Sequence, residues 1–93
     1  MVVLLAHLLK WRFQPDARSS SWLGTIRDQR DEIESILGDS PSLRPVIREL
    51  LARAHKRARQ KASEGTQLPE EAFPIECPFT AKQILAEDFL PED

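Results

Sequence analysis

Residues 2–13, Val-Val-Leu-Leu-Ala-His-Leu-Leu-Lys-Trp-Arg-Phe, have fewer ways to fold than any other part of this chain. At roughly 100° per residue, Val2, Leu5, Ala6, Leu9 and Phe13 share one side of a helix, and Leu4, Leu8 and Trp11 share the other. Only His7, Lys10 and Arg12 interrupt this wrap. A helix that is apolar nearly all round has to be buried on most of its sides. Pro15 ends it, because proline disfavours helical geometry in the residue before it. No Ser, Thr, Asp or Asn stands in front of Val2 as a cap. The segment does not read as a signal peptide: it lacks an early Lys or Arg, and Lys10-Trp11-Arg12 replaces the small-residue cleavage site. No run approaches the roughly 18 apolar residues of a membrane span. A cytoplasmic protein with no membrane partner is expected, with the single Cys77 as a free thiol.

The remaining pattern is helical. Trp22, Ile26, Ile33 and Leu37 recur at helical spacing and predict a second helix over about 22–37, capped by one of Ser19 to Ser21, with Gly38 as its left-handed stop. Ser40-Pro41 reads as a cap and first helical residue, with Pro45 in an early turn. Ile47, Leu50, Leu51, Ala54, Ala58 and Ala62 form the stripe of a third helix over about 43–63. Its taper from large to small residues signals close backbone packing at the far end, or a helix leaving the core. Pro69, Pro74 and Pro78 predict an extended segment, with one helical turn at Pro69-Glu70-Glu71. Thr80-Ala81-Lys82-Gln83 is a capping box, flanked by Phe79 and Ile84 as a hydrophobic staple, and opens a last helix over about 81–88. Strand alternation and internal repeats are both missing. Ninety-three residues make one domain, a small all-α bundle of about four helices.

Three segments carry a family resemblance. They are His7-Leu8-Leu9-Lys10-Trp11 with Gln14-Pro15; Ser21-Trp22, Thr25-Ile26-Arg27 and Gln29-Arg30 leading to Asp39-Ser40-Pro41-Ser42-Leu43-Arg44; and Cys77-Pro78-Phe79-Thr80 with Gln83-Ile84-Leu85 and Phe89-Leu90-Pro91. In this order and spacing the chain resembles the bacterial family called domain of unknown function 29. The resemblance implies an all-helical fold and no particular activity. It also implies a further helical, acidic segment ahead of the first motif, so that the chain is N-terminally shortened and Met1 falls inside a helix. On that view the apolar wrap of residues 2–13 lacks enough cover within the chain. Leu4, Leu5, Leu8, Leu9 and Trp11 then form an expected interaction surface, for a homodimer or for a chain that supplies the missing helix.

Candidate chemistry is sparse. Lys+Arg 13 against Asp+Glu 15 gives a net charge of −2. Residues 44–61 nevertheless hold seven basic residues against Glu49 alone. Arg53, Lys56, Arg57, Arg59 and Lys61 are the residues that a nucleic-acid partner would meet. Residues 64–93 hold eight acids against Lys82, so this tail is expected to neutralise the basic helix, and nucleic-acid binding is not expected. His7 and His55 lack a third ligand at metal spacing, so no metal or cofactor is expected. His7 should bond a backbone or carboxylate partner, and His55 should be exposed among Arg53, Lys56 and Arg57. Cys77 has no basic neighbour to activate it. His7, Trp22, Gln29 and Arg30 form the candidate polar and aromatic cluster; Trp11 can meet Trp22, and Arg30, at the edge of its apolar stripe, should find a carboxylate. Walker loops, paired carboxylates and hydrolase elbows are not found. The expected function is a non-catalytic helical interaction module. The alternative is a small nucleic-acid-associated protein.

Overall fold

The computed structural model describes residues 1–91 and contains four α-helices joined by short 3-10 turns. Helix α1 is Val2–Phe13, α2 is Ser20–Asp39, α3 is Ile47–Thr66 and α4 is Ala81–Leu85. The all-α expectation holds, and no strand occurs among the described residues. Helix α1 occupies the centre and packs on both α2 and α3, which make little contact with each other. One end of the molecule gathers Met1, Ile36, Leu43, Ile47 and Leu50. The other brings Lys10 against Trp22 and Gly65. Helix α1 therefore runs antiparallel to α2 and parallel to α3. The segment after α3 and the short α4 lie across the far side, touching both α2 and α3.

This arrangement meets the demand set by α1. Leu4, Leu5, Leu8 and Leu9 are all fully buried within the single chain. Each contributes about 1.5–3 kcal/mol of burial. The expectation that α1 would lack cover inside the chain, and that these leucines would form an interaction surface, is therefore wrong. Two flanking helices and the C-terminal segment enclose α1 on three sides. Ala58 and Ala62 are buried too, so the small-residue taper marks close approach of α3 to the core and not departure from it.

Local signals explain most of the element ends. Ser19 caps α2, its hydroxyl accepting the Trp22 N–H at 3.2 Å. Gly38 lies inside α2 instead of ending it, and Ser40 closes the helix with a negative φ. Pro41–Val46 form a 3-10 helix containing Pro45, which delays the start of α3 to Ile47. Past Thr66, Gln67 takes the left-handed conformation (φ 64°) and turns the chain back. The expected turn after Pro69 is a 3-10 helix at Glu70–Ala72. Both halves of the Thr80–Gln83 capping box are present, at 3.0 and 3.1 Å, above a buried Phe79 and Ile84. Helix α4 ends at Leu85, short of residue 88, because its carbonyls turn inward to a buried side chain described below.

Replacing Thr80 by Ala should cost about 1 kcal/mol, the usual worth of an N-cap. Chemical denaturation with amide exchange over residues 81–85 reads this out; unchanged protection there would show that the cap does not hold α4.

Candidate interaction face

The chemistry-bearing side chains are used mainly to close the fold. Arg30 is only 3% exposed. Its Nε donates to the Ile84 carbonyl at 2.8 Å and its Nη2 to the Phe89 carbonyl at 2.7 Å, with longer contacts to the carbonyls of Gln83 and Glu87. A cation placed on the last carbonyls of α4 satisfies groups that the helix cannot pair itself. Among the described residues no carboxylate enters this shell, contrary to expectation. Burial lowers the Arg30 pKa, and the nearby Asp88 partly offsets that.

The histidines and the cysteine are similarly occupied. His55 is buried, contrary to the expected exposed position, because its helix turns it under the Pro-rich segment. Its Nε2 lies 2.9 Å from the Pro74 carbonyl; a carbonyl can only accept, so Nε2 carries the proton. Its Nδ1 is buried without a hydrogen-bond partner. His55 and Cys77 line one cavity of about 470 Å³ between α3 and the segment leading into α4. The Cys77 thiol donates to the Phe79 carbonyl at 3.4 Å. Burial pushes its pKa up, with that hydrogen bond opposing, which favours the thiol over a nucleophilic thiolate. No group of three potential metal ligands occurs among the described residues.

His7, Trp22, Gln29 and Arg30 do not converge. His7 donates Nδ1–H to the Val3 carbonyl of its own helix at 2.9 Å. Trp22 lies under Lys10, whose ammonium is 5.1 Å from the ring centroid. Gln29 reaches Glu32 one turn along α2, and Arg30 points away to α4. Trp11 is half-buried beneath Arg18, which also donates to its carbonyl at 2.6 Å. The indoles thus stack on separate cations instead of meeting, each cation lying over a ring face.

The basic residues of α3 also depart from expectation. Arg53, Lys56, Arg57 and Lys61 are exposed, and Arg59 is half-buried with one N–H on the Glu70 backbone carbonyl at 2.9 Å. Among the described residues the only ion pair is Glu34–Arg44, at 4.0 Å. The acidic segment therefore does not pair with α3 as expected; Glu92 and Asp93 lie outside the described residues.

One side of α1 remains open. Val3, His7, Lys10 and Gln14 follow one another at spacings of four, three and four residues and are the exposed or half-buried positions of its outer seam. Trp22 meets this seam at Lys10, and Ile36 and Leu50 flank it at the Met1 end. Helical spacing sets Gln29 on the same side of α2, seven residues from each of Trp22 and Ile36, and Ala54 one turn beyond Leu50 on α3. Ile36 is 54% exposed, and Val46 and Val3 also present apolar surface at the same end. Sequence reasoning missed this face because its apolar residues are single members of three different helices. The clue was the outer spacing of Val3, His7, Lys10 and Gln14.

Fold and face together define a small all-α protein, built on a central helix with one side uncovered. The chain belongs to the family described as Domain of unknown function DUF29, whose family model matches residues 1–90. Neither a curated protein nor a solved structure matches the sequence.

Two predictions follow from these side chains. Replacing Arg30 by Lys leaves one ammonium for carbonyls that a planar guanidinium reaches together. The variant should lose about 2–3 kcal/mol and release residues 83–89 to amide exchange before the rest of the chain. Unchanged exchange there would rule out the clamp. Burial lowers the His7 pKa below 6.5, helped by Lys10, while the Val3 hydrogen bond opposes the shift. The unfolded chain therefore binds a proton first as pH falls, so stability present above pH 6.5 declines below it. His7→Gln should flatten that decline in melting temperature; parallel curves for parent and variant would show that His7 does not cause it.

Proposed function

We propose that this chain is a non-catalytic helical interaction module that associates with itself or with a partner chain. The observation carrying the reading is the uncovered side of α1, with Ile36, Val46 and Leu50 grouped at one end. Apolar surface gathered in this way marks association sites on small proteins. The non-catalytic part is supported by the engagement of Arg30, His55 and Cys77 in hydrogen bonds to backbone carbonyls. A bacterial, cytoplasmic setting fits the free thiol of Cys77. No described helix is long and apolar enough to cross a membrane.

The test compares the parent with Ile36→Glu by sedimentation and by quantitative affinity capture from cells, with Ser35→Glu as a control at an exposed position. The expected result is an association, with itself or another protein, that Ile36→Glu weakens at least tenfold and Ser35→Glu leaves intact. Parent and Ile36→Glu chains that are both monomeric and recover the same proteins would overturn the reading.

A second reading, a nucleic-acid-associated protein, draws on Arg53, Lys56, Arg57 and Lys61, exposed and without an ion-pair partner among the described residues. Fluorescence anisotropy with a short duplex at two salt concentrations tests it. Salt-sensitive binding that the charge reversal Arg53→Glu with Arg57→Glu abolishes would favour this reading.

A further inference from the structure

We propose that the open face is covered by a second copy of this chain, paired about a two-fold axis running parallel to the helices. This rests on the interaction-module reading and names its partner.

The two walls of the face carry opposite charge at their outer rims. On α2, Asp28 and Glu32 are exposed one turn apart, and Glu32 leans toward Gln29 on the wall itself, at 3.5 Å. On α3, Arg53 and Arg57 are exposed one turn apart, outside Leu50 and Ala54. None of these four charges has an ion-pair partner among the described residues. The face is also polar lengthwise: Ile36 and Leu50 are at one end and Lys10 is at the other.

These two asymmetries select the symmetry. An axis across the helices would set the apolar end of one copy on the cationic end of the other. An axis parallel to the helices keeps like ends together, so Ile36 meets the partner's Leu50 twice. The same operation lays each α2 wall on the partner's α3 wall, acid against base. The register agrees. Measured from Ile36, Glu32 and Asp28 lie about 6 and 12 Å along α2, at about 1.5 Å per residue. Measured from Leu50, Arg53 and Arg57 lie about 4.5 and 10.5 Å along α3 in the same direction. Glu32 thus faces the partner's Arg53 and Asp28 faces the partner's Arg57, with both contacts repeated by the two-fold. The two Lys10 ammoniums share the floor near the axis, and each is drawn aside over Trp22 of its own chain. A self-complementary patch of this kind is what a two-fold dimer requires.

Sedimentation velocity of the full chain at tens to hundreds of micromolar tests the pairing. Three variants accompany it: Ile36→Glu, the pair Asp28→Lys with Glu32→Lys, and the pair Arg53→Glu with Arg57→Glu. All five positions are exposed, and circular dichroism with thermal melting checks that the variants stay folded. The parent should sediment as a dimer, and each variant should weaken it at least tenfold. An equimolar mixture of the two charge-reversed variants should restore a dimer, since every rim contact again joins opposite signs. Adding Ile36→Glu to either partner should break that heterodimer, which attraction of net charge alone would not explain. A monomeric parent overturns the proposal, as does a dimer that survives the reversals or a mixture that stays monomeric. If a monomeric parent still holds another protein through Ile36, the second copy fails and the interaction-module reading stands. If it holds none, both fail.

Discussion

Arg30 carries a buried charge from the middle of α2 and meets no carboxylate among the described residues; four main-chain carbonyls of residues 83–89 stand around it instead. Two of those carbonyls, of Gln83 and Ile84, belong to a helix of five residues, too short to persist alone in water. Its N-terminal end is closed by the Thr80–Gln83 capping box and its C-terminal end by a side chain more than fifty positions earlier in the chain. With both ends closed, Ile84 and the Phe79–Phe89 pair are held inward. Ile84 and Phe79 belong to the same buried cluster as the α1 leucines. The guanidinium thus anchors the segment that brings Ile84 and Phe79 into that cluster. Losing one partner of such a buried charged network costs more than an exposed pair would.

Much of the architecture was legible because it was written locally. The ends of α1, the serine cap of α2 and the Thr80–Gln83 box all rest on contacts within a few residues, and periodicity locates them. The errors arose where distant groups decide. Helix α4 stops at Leu85 because the following chain bends to present its carbonyls to Arg30. Gly38 does not end α2, because the helix continues one residue further and the 3-10 segment after Ser40 makes the turn. Residue preference carried no information about either event.

The functional face was less legible, for a related reason. An apolar wrap in sequence says that a helix needs cover without saying who supplies it. Burial was assigned to an external partner for Leu4, Leu5, Leu8 and Leu9, which the chain itself encloses. His55 was misplaced similarly: basic neighbours at Arg53, Lys56 and Arg57 suggested exposure, yet helical geometry turns it to the opposite side of α3. The surface left open is assembled from Ile36, Leu50 and the seam of α1. No single stretch of sequence contains it, so only the packing of three helices reveals it.

The central position of α1 also dictates the order in which the molecule can be completed. Its most extensive packing is against α3, whose residues follow it by more than thirty positions. During synthesis this most apolar segment emerges before the helices that cover it. It then waits while α2, the prolines at 41 and 45 and most of α3 are added. Contacts that close so long a loop form late compared with those between neighbouring helices. For that interval α1 can shelter only against α2, and its side toward α3 stays wet and adhesive. Until α3 is complete, that side of α1 is thus the part of a newly made chain most open to aggregation. The same central helix that organises the finished fold sets the period in which the unfinished one most needs protection.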